Sequence, residues 1–278
     1  MSIFLDNIAA AMVGGAIASV VFQRRVTVGY LAAIVAASNA GGAGSVIGDT
    51  TTTMMWIAGV KPTEVMTAFV PATIALVVFG IPAALQQQKY QKILKDPTGD
   101  VHVDTQRLLV VGLILIGAVA ANIWLDLPAV GVWAALIAGS AIRQPDWGKI
   151  PHAAINASFL LALVLCASMM PVKALPAPSW ETSFGLGVIS AGFDNIPLTA
   201  LAILQGAYHW GQLAFHVGFG GSMTPFGSSA GVAIGGDFPE AKNTLRWVRE
   251  GWFIPVAYVV ASVATFLILG WEAMPIVK

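Results

Sequence analysis

Four apolar runs, 66–85, 108–125, 153–170 and 252–270, each come close to the roughly 20 residues that an α-helix needs to cross a hydrocarbon core. Inside a bilayer no water pairs with backbone N–H and C=O groups, so a spanning segment must satisfy them internally. The composition agrees: 57% of the 278 residues are hydrophobic and 10% are charged, against about 25% charged in an ordinary soluble domain. The chain reads as an all-α polytopic membrane protein. Its start, "MSIFLDNIAAAMVGG", has no basic region and meets Asp6, so it does not read as a cleavable leader. The single cysteine, Cys166, excludes a disulfide scaffold, and the zero net charge gives no sign of a nucleic-acid partner.

The position of charge orients the spans, because short cytoplasmic loops collect Lys and Arg. Arg24 with Arg25, Lys89 with Lys92, Lys95 and Arg107, Arg143 with Lys149, and Lys242 with Arg246 and Arg249 form clusters, leaving Lys61, Lys173 and Lys278 for the other side. Threaded through this asymmetry, 26–58 crosses outward, 65–85 inward, 107–125 outward, 128–142 inward and 150–170 outward. The segment 181–210 then begins and ends on the outer side and must be a re-entrant hairpin, followed by 211–236 inward and 251–270 outward. Trp56, Trp124, Trp180, Trp210 and Trp271 fall at span ends and read as an interfacial belt.

The chain also repeats itself. "GGAGSVIGDTTT" at 41–52 matches "GGSMTPFGSSAG" at 220–231, each a glycine pair followed by a further glycine and small hydroxylated residues. Upstream, "FLDNIAAAM" at 4–12 matches "FDNIPLTAL" at 193–201. By loop charge the two Gly-rich spans run in opposite directions, so the repeats are inverted, the architecture of secondary transporters with a site near the midplane. The predicted organisation is 1–88 for the remainder of the first repeat, 89–106 for a cytoplasmic loop and 107–278 for the second repeat. Repeat symmetry leads one to expect roughly 90 or more further residues ahead of Met1.

Asp6, Asp49 and Asp194 stand in apolar surroundings, where a carboxylate costs about 2.5–3.5 kcal/mol on insertion scales. The default reading is a functional site, as cation ligand, proton carrier or both. Burial favours the protonated form of a carboxylate and a bound cation favours the ionised form, so one group holds a proton or a sodium ion but not both. The alternative is that all three cap helices, and capping and coordination can coexist. The glycines let a helix unwind around an ion or merely let helices pack closely. Ser190 faces the site or back-bonds within its own helix. His216 is a proton relay or a satisfied core histidine, and Asn122 and Asp126 read as interfacial.

At these residues a family resemblance emerges. "LDN", "ASNAGGAGSVIGDTTTTMMW", "DNIPL" and "GGSMTPFGSSAGVA" resemble the D-type sodium/proton antiporters of bacteria and plastids. These belong to the ion-transporter superfamily that also includes citrate-transporter-like and arsenite-exporter proteins. The resemblance implies two repeats whose hairpin tips meet two broken helices, often in a homodimer, and a bacterial inner-membrane location. It implies a Na⁺ or Li⁺ and proton site at Asp6, Asn7, Asn39, Asp49, Thr51 and Thr52, with Ser190, Asp194, Asn195, Ser228 and Ser229, and no cofactor. The resemblance places the family's first scaffold helices and the entering arm of its first hairpin in the residues expected ahead of Met1.

Sodium-coupled citrate or dicarboxylate uptake is the alternative within transport, but three buried carboxylates would repel such a substrate. An inactive fragment or partner subunit is a further reading. An intramembrane aspartyl protease would need glycine at Val46, and no lysine follows Gly48 as a phosphate-binding loop requires.

Overall fold

The computed structural model describes residues 2–93 except 4, 105–145 except 126, 147–151, single residues between 154 and 172, and 176–276. Cys166, Asp126 and Lys173, the side chain of Asn122, and most of the loop 89–106 and of the run 150–170 lie outside the described residues. All regular structure among the described residues is helical. The chain divides into two compact units, one formed by 1–95 and 162–278 and the other by 96–161. Both matched glycine-rich segments, 41–52 and 220–231, fall in the larger unit.

In the smaller unit α6 (Thr105–Leu125) and α7 (Pro128–Ser140) pair with each other. Their contact is close because Gly117 and Gly131 face each other: a Cβ on either would run into the other's carbonyl.

The larger unit opens with α1 (Asn7–Val21), α2 (Val28–Ala43) and α3 (Thr50–Ile57), then the short α4 (Pro62–Met66) and the long α5 (Phe69–Tyr90). It continues with α8 (Trp180–Ser190), α9 (Asn195–Gln205), α10 (Trp210–Gly220), α11 (Ser229–Asp237), α12 (Thr244–Glu250) and α13 (Phe253–Leu269). The segment Pro62–Tyr90 is long and apolar enough to span a membrane, and α12 with α13 make a second such stretch bent by 60°. On α5 the side chains of Leu76, Val77, Ile81 and Leu85 are exposed, and on α13 so are Val256, Val260, Val263 and Leu267. Soluble surfaces rarely carry apolar faces of this extent, and the helical chain is compatible with a membrane protein.

The two Gly-rich spans are both interrupted helices. The first breaks between α2 and α3 at 44–49, the second between α10 and α11 at 221–228, with a short 3₁₀ turn at Gly221–Met223. The glycines at the breaks serve close approach. A Cβ on Gly42 would collide with the carbonyl of Gly48, and one on Gly221 with that of Gly227, so each loop folds back against the end of the helix it leaves. Neither glycine has a positive φ, so space and not backbone freedom is what they provide.

A polar knot anchors the start of α2. Four N–H groups at a helix start lack intrahelical partners. Glu250 Oε2 accepts from Val28 N at 3.0 Å and Gly29 N at 3.3 Å. Thr27 Oγ1 accepts from Tyr30 N, and Gln87 Oε1 accepts from Thr27 N at 2.8 Å. Arg246 Nε donates to Glu250 and Gln86 Nε2 to the Glu250 carbonyl, so the α12–α13 bend is tied to α2 and α5. Arg246 gains basicity from this contact, its ionised form being held by the Glu250 carboxylate.

Of the tryptophans read as interfacial, Trp124 is exposed, but Trp210 is fully buried, its Nε1 donating to the Met274 carbonyl at 2.8 Å. Trp210 belongs to the core. The reason is local: it begins α10, whose residues are buried on every side.

Gly221→Ala is expected to abolish a folded, monodisperse product, because backbone must move to admit the methyl group. Gly185→Ala, in α8 with nothing within 4 Å of the new Cβ, is expected to be neutral or to stabilise by about 0.5–1 kcal/mol. Thermal unfolding in detergent checks both. Equal melting temperatures would remove close packing as the reason for the glycine pair.

Candidate functional site

The breaks expose backbone carbonyls that an unbroken helix would satisfy, and hydroxyl side chains take them up. Thr52 Oγ1 donates to the carbonyls of Ser45 at 2.6 Å and Asp49 at 2.8 Å, and Thr53 Oγ1 to those of Val46 and Asp49. Ser2 Oγ donates to the Ser38 carbonyl at 2.6 Å, and Ser190 Oγ to the Val217 carbonyl at 2.7 Å. Ser45 Oγ donates to the Ile3 carbonyl at 2.7 Å, and Thr224 Oγ1 to the Ala191 carbonyl at 2.5 Å. These last four bonds join equivalent positions of the two matched sequence segments.

Each aspartate starts a helix. Asp6 Oδ2 accepts from Ile8 N at 3.1 Å, Asp194 Oδ1 from Ile196 N at 2.9 Å, and Asp49 Oδ1 from Thr51 N at 2.9 Å. Asp6 and Asp194 have nearly the same backbone angles, φ −50° and ψ 144° against φ −56° and ψ 140°. Capping uses one carboxylate oxygen in each case and leaves the second for other partners.

Around Asp49 those partners form a buried network. Asp49 is 2% exposed, and Asn7 Nδ2 donates to its Oδ2 at 2.9 Å and to Asn39 Oδ1 at 3.0 Å. Thr51 Oγ1 donates to Asp49 Oδ1 at 2.9 Å. The Asn39 carboxamide then crosses to the other broken helix, Nδ2 donating to Ser222 Oγ at 2.9 Å and Ser228 Oγ at 3.0 Å. Ser228 also caps α11, accepting from Gly231 N at 3.3 Å. One buried carboxamide thus links the start of α1 at Asn7, the first break and the second break.

Of the residues named from sequence, Asn7, Asn39, Asp49, Thr51 and Ser228 lie in this network. Asp194 has its own contact, Ser229 Oγ at 3.5 Å. Asp6 is a partly buried cap. The Thr52 and Ser190 hydroxyls donate to backbone carbonyls beside the breaks. Asn195 is 3% exposed and makes no side-chain hydrogen bond among the described residues. No Lys or Arg among the described residues pairs with Asp49. Among the described residues no three His, Cys, Asp or Glu side chains group with metal-ligating spacing, and the oxygen donors near Asp49 are amides and hydroxyls, the ligand type of hard cations.

Ser222 was not singled out from sequence, although it stands directly after the second glycine pair. Gly218 was also missed: it packs beside Asp49, an added Cβ lying 3.6 Å from Oδ2. His216 is a core histidine, its Nδ1 within 2.8 Å of Ser183 Oγ and its ring enclosed by Trp180, Phe184, Phe215 and Tyr258.

No protein-family model matches the chain, and no solved structure matches it. Among curated proteins it is similar to "Sodium/proton antiporter 1" of Arabidopsis thaliana, at 28% identity over 84% of this chain and 47% of that protein. It is also similar to the "Na(+)/H(+) antiporter NhaD" of Alkalimonas amylolytica, at 30% identity over 84% of this chain and 59% of the relative. "Sodium/proton antiporter 2" of Arabidopsis thaliana gives 29% over 85% and 66%. The chain therefore spans about half to two thirds of the length of these relatives. By name they are transporters and not enzymes.

Asn39→Ala strands buried partners on two helices, each worth about 1–3 kcal/mol when left unpaired. A double-mutant cycle of Asn39→Ala with Ser228→Ala, followed by thermal unfolding, is expected to return a coupling of about 0.5–3 kcal/mol. Strict additivity would mean that the crossing bond does not hold the two breaks together.

Proposed function

We propose that this chain belongs to a secondary transporter that exchanges Na⁺ or Li⁺ for protons by alternating access, of the D type within the sodium/proton antiporters. The observation that carries the reading is the Asp49 carboxylate, buried where two broken helices meet, surrounded by amide and hydroxyl donors and without a basic partner among the described residues. The names of the relatives support it.

In this reading Asn7, Asn39, Thr51 and Ser228 fix the geometry around Asp49, while Asp194, Asn195 and Ser229 supply a second, less committed group of oxygens. Asp6 and Asp194 add negative charge at the hairpin tips. A cation and a proton compete for these carboxylates, because each neutralises charge that the dry surroundings penalise. Thr52 and Ser190 keep the breaks open by satisfying backbone.

The inverted-repeat reading draws support from the equivalent bonds of Ser2 with Ser190 and of Ser45 with Thr224. The re-entrant reading draws support from helix length: α8 and α9 have 11 residues each, which at 1.5 Å rise reach about 16 Å, near half of a hydrocarbon core. The arms α8 and α9 would move with the hairpin block against the scaffold. A bacterial inner membrane and a homodimer complete the proposal.

The test is reconstitution of the protein, expressed from its natural reading frame, into vesicles with a trapped pH dye, followed by pulses of Na⁺, Li⁺, K⁺ or citrate. Proton movement is expected with Na⁺ or Li⁺ alone. Proton movement with citrate and none with Na⁺ would replace antiport by carboxylate uptake. Asp49→Asn and Asp194→Asn are each expected to abolish exchange with membrane insertion retained, and wild-type rates in both would reduce these residues to helix caps.

A further inference from the structure

Position 218 breaks the correspondence between the two matched segments. Counting from the glycine pairs at 41–42 and 220–221, Ser228 answers to Asp49, and Gly218 answers to Asn39. The Asn39 carboxamide fills the space between Asn7 and Ser228 and bonds to both. By the same count the equivalent pair is Asn195 and Asp49, and at Gly218 an added Cβ would meet only Asp49 Oδ2 and Ala43 Cβ within 4 Å. Asn195 makes no side-chain hydrogen bond among the described residues although it is 3% exposed. The helix that Asn195 begins packs on α3, which Asp49 caps, and on α10, which carries Gly218.

We propose that Gly218 sets the size of the cation seat: by lacking a side chain it leaves room between Asp49 Oδ2 and Asn195 for a dehydrated monovalent cation, where the other half of the site has the Asn39 carboxamide. This rests on the antiport reading and goes beyond it by naming a residue that decides which ion is accepted. A methyl group at 218 would lie 3.6 Å from Asp49 Oδ2 and 3.9 Å from Ala43 Cβ, both ordinary contacts. The fold therefore tolerates alanine, but the methyl occupies the face of the carboxylate that the cation approaches. An asparagine there would offer its amide to Asp49 and its oxygen to Asn195, standing in for the ion.

The experiment compares wild type, Gly218→Ala and Gly218→Asn by two readouts: the rise in melting temperature of purified protein on replacing choline with Na⁺ or Li⁺, and ion-driven proton movement in vesicles. Binding to the folded state alone raises the melting temperature in proportion to occupancy. In wild type both readouts are expected to respond. In Gly218→Ala the Na⁺ concentration for half-response is expected to rise about tenfold or more, equivalent to 1.4 kcal/mol. Li⁺, being smaller, is expected to lose less, so the Li⁺/Na⁺ preference shifts towards Li⁺. Gly218→Asn is expected to lose both responses with a choline melting temperature at or above that of wild type. Unchanged half-responses and an unchanged Li⁺/Na⁺ ratio in Gly218→Ala would overturn the proposal, and that variant decides alone if Gly218→Asn does not fold. A wild type indifferent to both ions would instead defeat the antiport reading itself.

Discussion

A helix interrupted in an apolar environment must find partners for the carbonyls it frees, and this requirement governs the centre of the molecule. Leaving such a group unpaired away from water costs several kcal/mol. Around the two breaks the carbonyls of Ser45, Val46 and Asp49, and beside them those of Ser38 and Val217, accept from Thr and Ser hydroxyls. The apparent excess of hydroxylated residues in an otherwise apolar stretch is thus a replacement for lost helix hydrogen bonds. Once these are made, Asn39 joins one break to the other.

Much of this was legible from sequence because it depends on local chemistry. Glycine pairs followed by hydroxyls marked both interruptions, and an Asp followed by Asn marked the starts of α1 and α9. That all three aspartates cap helices follows from the same preference for Asp at the N-cap. What escaped was non-local. Ser222 and Gly218 gain meaning only from what lies opposite them, a carboxamide in one case and a carboxylate in the other. Trp210 looked interfacial because it stands at the end of a span, yet tertiary packing buries it. The Glu250 and Gln87 knot around the start of α2 joins residues far apart in the chain, and no short-range pattern signals it.

Capping and ion binding are not rival accounts of these aspartates. Asp49 gives Oδ1 to the start of α3 and Oδ2 to Asn7, so the same group reports to a half-helix and to the network across the breaks. A negative charge at a helix N-terminus is stabilising by about 0.3–1 kcal/mol, and more where it is partly buried. Protonation removes that charge, whereas a bound cation leaves the carboxylate ionised and spreads its field. In an exchanger the two occupied forms would therefore hold α3 with different strength. In such an exchanger the break that creates the seat would also be the joint through which its occupancy is felt, and a half-helix capped by the ligand itself would need no separate device to couple ion identity to its position.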